Sequence, residues 1–176
     1  MSIILNSKNI TVLEEAGELC ILKYTSKNNF NNYFFGPNIS IKLWSPKVSW
    51  MDNNSLSFQF EKYNQNGIDN MNLLILLRNI NTKLVDLYCA YKESRGHPEL
   101  NVKPCIFYEK ENYFYIKCNL PNVNGRYHIT CEDGSKFIKP RIGNVYSAVK
   151  LDIRNVWEVV GQEKVAFRLE LKHVSD

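Results

Sequence analysis

No run of apolar residues in this sequence approaches the length needed to cross a bilayer as a helix. The longest, Leu73 to Leu77, falls far short of the roughly 20 residues a span requires. The N-terminus lacks the basic start, apolar stretch and small-residue cleavage site of a secretory leader, so export is not expected. Glycine is scarce, with 8 residues in 176, and neither a phosphate-cradling loop nor a dinucleotide fingerprint is present. Only three histidines occur, His97, His128 and His173, and no Ser, Cys or Asp accompanies them at a catalytic spacing. The paired carboxylates Glu14-Glu15 and Glu132-Asp133 read as solvated turns. These absences point to a binding protein rather than an enzyme.

Cysteine pairs of the Cys-x-x-Cys kind are missing too. The five cysteines, Cys20, Cys89, Cys105, Cys118 and Cys131, are odd in number, and the default is free thiols in a reducing intracellular compartment. Cys105, Cys118, His128 and Cys131 carry the donor types of a Cys3His zinc site. However, Cys118 shares its strand parity with Phe114 and Ile116, and His128 and Cys131 face opposite ways on an ideal strand. A metal-free protein without cofactors is expected.

Apolar residues make up 44% of the chain and charged residues 23%, which suits a globular domain with a real core. Period-two alternation dominates. Ile39, Ile41 and Leu43 alternate with Ser40, Lys42 and Trp44. The same pattern recurs in Leu56 to Glu61, in Tyr113 to Cys118 and in Val165 to Lys172, and marks half-buried strands. Weaker strands are predicted at Leu19 to Tyr24, Asn72 to Leu77, Pro104 to Tyr108, Arg126 to Cys131 and Val145 to Val156. One helix is predicted over Asn81 to Glu93, where Leu84, Leu87, Tyr88 and Tyr91 form a helical stripe. Asn81 would cap it and Gly96 close it. Polar turns are expected at Glu109 to Asn112, Asn122 to Gly125 and Asp133-Gly134, and Lys27 to Asn32 reads as a polar loop.

This order predicts a mainly β fold: residues 1 to 176 as one OB-like antiparallel barrel with extra hairpins and a helix near 81–93 between strands.

The net charge of +4 mildly favours an anionic partner. A sharper signal is aromatic residues interleaved with lysines on the non-core parity: Lys42 and Trp44 on one strand, Tyr113, Tyr115 and Lys117 on another. Rings stack on bases while cations neutralise phosphates, which is what a reader of single-stranded nucleic acid needs. The acid-free stretch from Lys136 to Lys150, carrying Lys136, Phe137, Lys139, Arg141 and Tyr146, is expected to clamp the strand from one side. Taken singly, Trp44 and Trp157 read as packing residues.

The segments "NISIKLWSP", "LLILLRNINTKLVDLYCAYKESRG" and "VKPCIFYEKENYFYIKCNLP" resemble the single-stranded DNA-binding proteins of poxviruses and other large nucleocytoplasmic DNA viruses. The resemblance covers roughly residues 38 to 121. It implies an OB-like fold and sequence-independent coating of DNA in viral replication and repair, in a host cytoplasmic factory or the nucleus. Members of that class often end in an acidic tail; this chain ends "LELKHVSD". The partner expected is single-stranded DNA, with RNA not excluded, no membrane, and homo-oligomerisation left open. The rival reading is a structural or protein-interaction β-sandwich, such as a virion component or a host-factor binder.

Overall fold

The structure, a computed structural model, describes residues 4–7, 10–14, 19–63 and 67–176. Six strands precede a single helix: β1 (Ile4–Ser7), β2 (Ile10–Glu14), β3 (Cys20–Lys27), β4 (Phe30–Trp44), β5 (Lys47–Met51), β6 (Ser55–Glu61) and then α1 (Gly67–Arg95). Short strands follow at β7 (Tyr108–Glu109), before β8 (Tyr113–Asn119), and at β9 (Asn122–Val123), β10 (Arg126–Tyr127) and β11 (Thr130–Cys131). The chain ends in two long strands, β12 (Ala148–Val159) and β13 (Lys164–Ser175).

The main sheet runs in the order β1-β2-β4-β12-β13-β8-β6-β5, with β3 alongside the first half of β4, β7 beside β8 and β11 beside β13. It is mixed: β13 meets both β8 and β11 in parallel. The expected mainly β fold with one helix is present; the strand path ends at β1 and β5 without closing, and the sheet is mixed rather than wholly antiparallel. Strand β4 serves two neighbours on one edge. Its first half pairs with β3 and its second half with β2.

Local chemistry explains the turns. Asn28 and Asn29 both adopt positive φ, 51° and 66°, the geometry of a two-residue hairpin turn whose twist matches the flanking strands. The segment 27–32 is therefore a tight hairpin between β3 and β4 rather than a loop. Asn124 and Gly125 make the same turn between β9 and β10.

The helix corrects the sequence reading most. It begins at Gly67 and absorbs Asn72 to Leu77, which were expected as a strand. A continuous apolar run carries no period of its own, so helix and buried strand look alike there. Leu73, Leu77, Ile80, Leu84, Tyr88 and Lys92 form one buried stripe at three- and four-residue steps, and Ile75 points to solvent. Asn81, expected as the cap, lies inside the helix, and its side-chain oxygen instead accepts from the Ile106 N–H at 2.8 Å. Gly96 does end the helix: it has φ 65°, its N–H donates to the Glu93 carbonyl, and the His97 N–H donates back to that of Lys92. This is a Schellman close. No helix among the described residues is long and apolar enough to cross a membrane.

Strand parity sorts the side chains. Ile39, Ile41 and Leu43, Leu56, Phe58 and Phe60, and Phe114, Ile116 and Cys118 are all buried. Phe60 and Phe114 stack at 5.2 Å across β6 and β8. Of the residues expected as the strand Pro104 to Tyr108, only Tyr108 pairs; the rest is irregular chain, from which Ile106 and Phe107 turn inward. Glu15 lies outside the described residues.

One polar cluster lies within this core. Lys92 and Glu158 are an ion pair at 2.9 Å, with side chains 2% and 0% exposed. The Glu158 carboxylate also accepts from the hydroxyls of Tyr88 and Tyr33 and from the Asn31 amide. Burial alone would raise its pKa, but the donors, led by Tyr88 and Lys92, outweigh burial and hold it below the ordinary carboxylate value. The same burial, with the carboxylate alongside, pushes both tyrosine hydroxyls upward. Tyr33 has one hydroxyl proton, and a carboxylate can only accept. His97 Nδ1, 3.1 Å from the Tyr33 oxygen, must therefore bring its own proton to that contact.

A candidate nucleic-acid interface on the outer face of the sheet

Strands β5, β6, β8 and β7 lie side by side, and side chains on the face away from the core form cross-strand rows. In one row Trp50, Ser57 and Lys117 are register partners. In the next, Lys47, Gln59, Tyr115 and Tyr108 are aligned. The two rows sit two residues apart along β8, about 7 Å.

Contacts within the rows fix the rings. The Lys117 ammonium lies 5.2 Å from the Trp50 ring centre, and that of Lys110 lies 5.5 Å from Tyr115, both within cation–π range. Tyr108 and Tyr115 stack at 4.8 Å with planes 10° apart, and Tyr113 stands 6.4 Å from Tyr115. Trp50 and Tyr108 nonetheless remain 43% and 47% exposed. Large rings are thus presented to solvent with cations beside them.

Two nearby acids are occupied, while Glu61, the exposed register partner of Tyr113, stands at the end of the face. Asp52 accepts from the N–H groups of Asn54 and Ser55 and from the Ser55 hydroxyl. Those bonds, with Lys117 as a lesser influence, hold its carboxyl below the ordinary value. Glu109 is bound by Lys62 at 2.6 Å and by Arg78 through both carboxylate oxygens, which likewise depresses its pKa. Neither carboxylate offsets the lysines of the face freely.

The sequence-predicted residues fall into three groups. Tyr113, Tyr115 and Lys117 share the face just described. Lys42 and Trp44 pair with each other, the ammonium 4.2 Å from the indole centre, on β4, three strands from β8 in the sheet order, although Trp44 precedes Lys47 of β5 by only three residues. In register, Ser40, Asp152, Glu170 and Asn119 connect the two sides; Asp152 accepts from the Ser40 hydroxyl, and Glu170 is met by Arg154, Arg168 and Lys172. Lys42 is instead aligned with Lys150 and His173. Among the described residues no ring or cation–π contact joins the two aromatic groups.

The third group is the stretch expected to clamp. Lys136 and Arg141 are exposed, and Lys139 reaches across to the Asn53 side chain at 2.7 Å, at the β5–β6 turn beside Lys117. Phe137 and Tyr146 correct the expectation. Both are buried, Phe137 edge-on to Tyr127 and Tyr146 edge-on to Phe58, and burial pushes the Tyr146 hydroxyl up to about 12. The reason is the chain path: Tyr146 N–H donates to the Pro46 carbonyl and Val48 N–H to that of Asn144. This stretch folds back along β5 as a wall of the core, leaving its two rings no route to solvent.

Sequence reasoning missed Trp50, Tyr108 and Lys110. Val48 is buried, and strict alternation would place Trp50 beside it, but a bulge between Val48 and Trp50 reverses the parity and turns the indole outward. The "EKENYFY" hairpin held the signal for Lys110, whose N–H donates to the Tyr113 carbonyl and whose ammonium lies over the Tyr115 ring.

Where β8 leaves the face it meets β13 at a single pair, Asn119 with Glu170, and the strands then diverge. A cleft of about 470 Å³ opens between them, and Tyr108 and Lys117 belong to both the cleft wall and the aromatic face. The other candidate donors stay apart: Cys118 is buried, its thiol pushed up by burial, and all five cysteines are free. No group of three or more His, Cys, Asp or Glu side chains able to hold a metal occurs among the described residues. No protein-family model, curated protein or solved structure matches the chain.

Proposed function

We propose that this protein binds single-stranded nucleic acid, DNA in the first instance, on the outer face of β5, β6, β8 and β7. The observation that carries this reading is the pair of adjacent rows in which exposed rings and lysines alternate: Trp50 with Lys117, and Tyr108 and Tyr115 with Lys110. A flat ring with a cation at its margin suits a stacked base and its phosphate, without regard to sequence. The resemblance to viral single-stranded DNA-binding proteins supports the same partner and a role in coating DNA during replication and repair. In this reading the coiled sheet, with its helix between β6 and β8, is an opened OB-like arrangement that offers one face to the strand.

The test is titration of a labelled oligothymidylate at several salt concentrations. Lys110, Lys117 and Lys139, with Lys103 at the cleft, supply three or four phosphate contacts. At about −0.7 per contact on single strands, log affinity against log salt should have a slope of roughly −2 to −3. A flat response, or no binding at low salt, overturns the proposal.

A further inference from the structure

We infer that the cleft between β8 and β13 is a docking site for an extended peptide segment of another protein, added as a strand to the open edge of β13. Strand β13 is paired with β12 along its whole length, but its other edge is used only at Glu170 by β8 and at His173 and Val174 by β11. From Lys164 to Leu169 that edge has no backbone partner among the described residues. It lies in the middle of the sheet rather than at its rim, and it forms a wall of the cleft.

An interior strand edge presents N–H and C=O groups in alternation, about 3.3 Å per residue. Another backbone matches that spacing, and a base or a compact ligand does not. Side chains then set the preference. Val165, Phe167 and Leu169 on β13, with Ile106 and Phe107 opposite, make the cleft apolar at every second position. Among the described residues, its charged lining groups are Lys103 and Lys117. The complementary segment alternates small apolar residues with acidic ones. Its backbone lies between the Lys164–Leu169 edge and the 103–108 segment, which with β7 occupies the β8 side of the cleft.

The probe is the peptide acetyl-Val-Asp-Val-Asp-Val-Asp-Val-amide, added to the full-length chain and followed by backbone amide NMR and hydrogen exchange. The expected result is slowed exchange at alternate amides between Lys164 and Leu169, lost when the peptide is N-methylated on alternate nitrogens. Lys103→Glu should weaken binding by about tenfold and shift preference to the Val-Lys counterpart of the peptide. Unchanged β13 amides at millimolar peptide, or equal effects from the N-methylated control, refute the inference. Protection of the same amides by oligothymidylate but not by peptide would assign the cleft to nucleic acid instead. An adverse result here leaves the oligothymidylate titration standing, because Trp50 and Lys110 lie outside the cleft.

Discussion

Replacing Lys92 by methionine tests the buried cluster most severely. Its ammonium is 2.9 Å from a fully buried Glu158 carboxylate and is itself only 2% exposed. Lys92→Met keeps the volume and the helical stripe but leaves the carboxylate with only neutral donors, Tyr88, Tyr33 and Asn31. Removing one partner of such a pair typically costs about 3–5 kcal/mol. For a chain of this length that corresponds to a fall in Tm of roughly 6–20 °C. Urea denaturation of both proteins at neutral pH measures it directly. The double variant Lys92→Met, Glu158→Leu should recover most of the loss, because an apolar pair of similar shape carries no desolvation cost. The pH dependence gives a separate check. Glu158 has its folded pKa held below the unfolded value, so its contribution is fully present above the unfolded value, about 4.3. It disappears as pH falls through the lower, folded one. Wild type should therefore lose stability on acidification, and Lys92→Met should lose less of it. A Lys92→Met protein within about 1 kcal/mol of wild type at pH 7 would refute a charged, dry pair.

Four further outcomes follow from the same geometry. Trp50→Ala should weaken oligothymidylate binding about tenfold, since stacking contributes about 1–3 kcal/mol per base, whereas Trp44→Ala, three strands away, should change it less than threefold in the same titration. Tyr115→Ala should reduce affinity by a similar factor and lower stability by about 0.5–1.5 kcal/mol through loss of the Tyr108 stack, read by chemical denaturation. Phe114→Ala, the next residue but on the buried side against Phe60, should cost about 3–5 kcal/mol; loss of DNA binding without loss of stability would show the faces reversed. Tyr146→Ala should behave as a core deletion, with a lower Tm and, where folded, unchanged salt dependence of binding.

These contrasts mark where the sequence was readable. Alternation placed Phe114, Ile116 and Cys118 inside and Tyr113, Tyr115 and Lys117 outside, because a period of two leaves no freedom once one face is buried. The same rule failed at Trp50, where a bulge inserts one residue and inverts everything after it. It failed at Asn72 to Leu77 because a run without polar residues has no phase to read. Phe137 and Tyr146 sit in an irregular segment, where composition suggested a basic clamp and only the path of the chain decides that the rings turn inward.

Half of the buried pair is written in the sequence pattern. Lys92 extends the stripe Leu84, Tyr88 by another four-residue step, and Glu158 interrupts the apolar run Val156 to Val160. A cation on a buried helical stripe and an acid inside an apolar strand each cost several kcal/mol alone, so each needs a partner. That requirement can be read from one dimension, but which residue answers it depends on strand register. The same holds for the outer face. Tyr113, Tyr115 and Lys117 follow from one strand, whereas the rows that join them to Trp50 and Tyr108 exist only once β5, β6, β8 and β7 are aligned. Register also separates Lys42 and Trp44 from that face, by setting Asp152 and Glu170 in the intervening strands. Reversing those two charges to lysine should therefore join the groups. Asp152→Lys with Glu170→Lys is expected to steepen the salt slope by about 0.7 per added phosphate contact and to make Trp44→Ala costly for binding. If affinity and slope stay unchanged in the reversed variant, the strand never crosses β12 and β13, and the interface ends at β8 and the short β7 beside it.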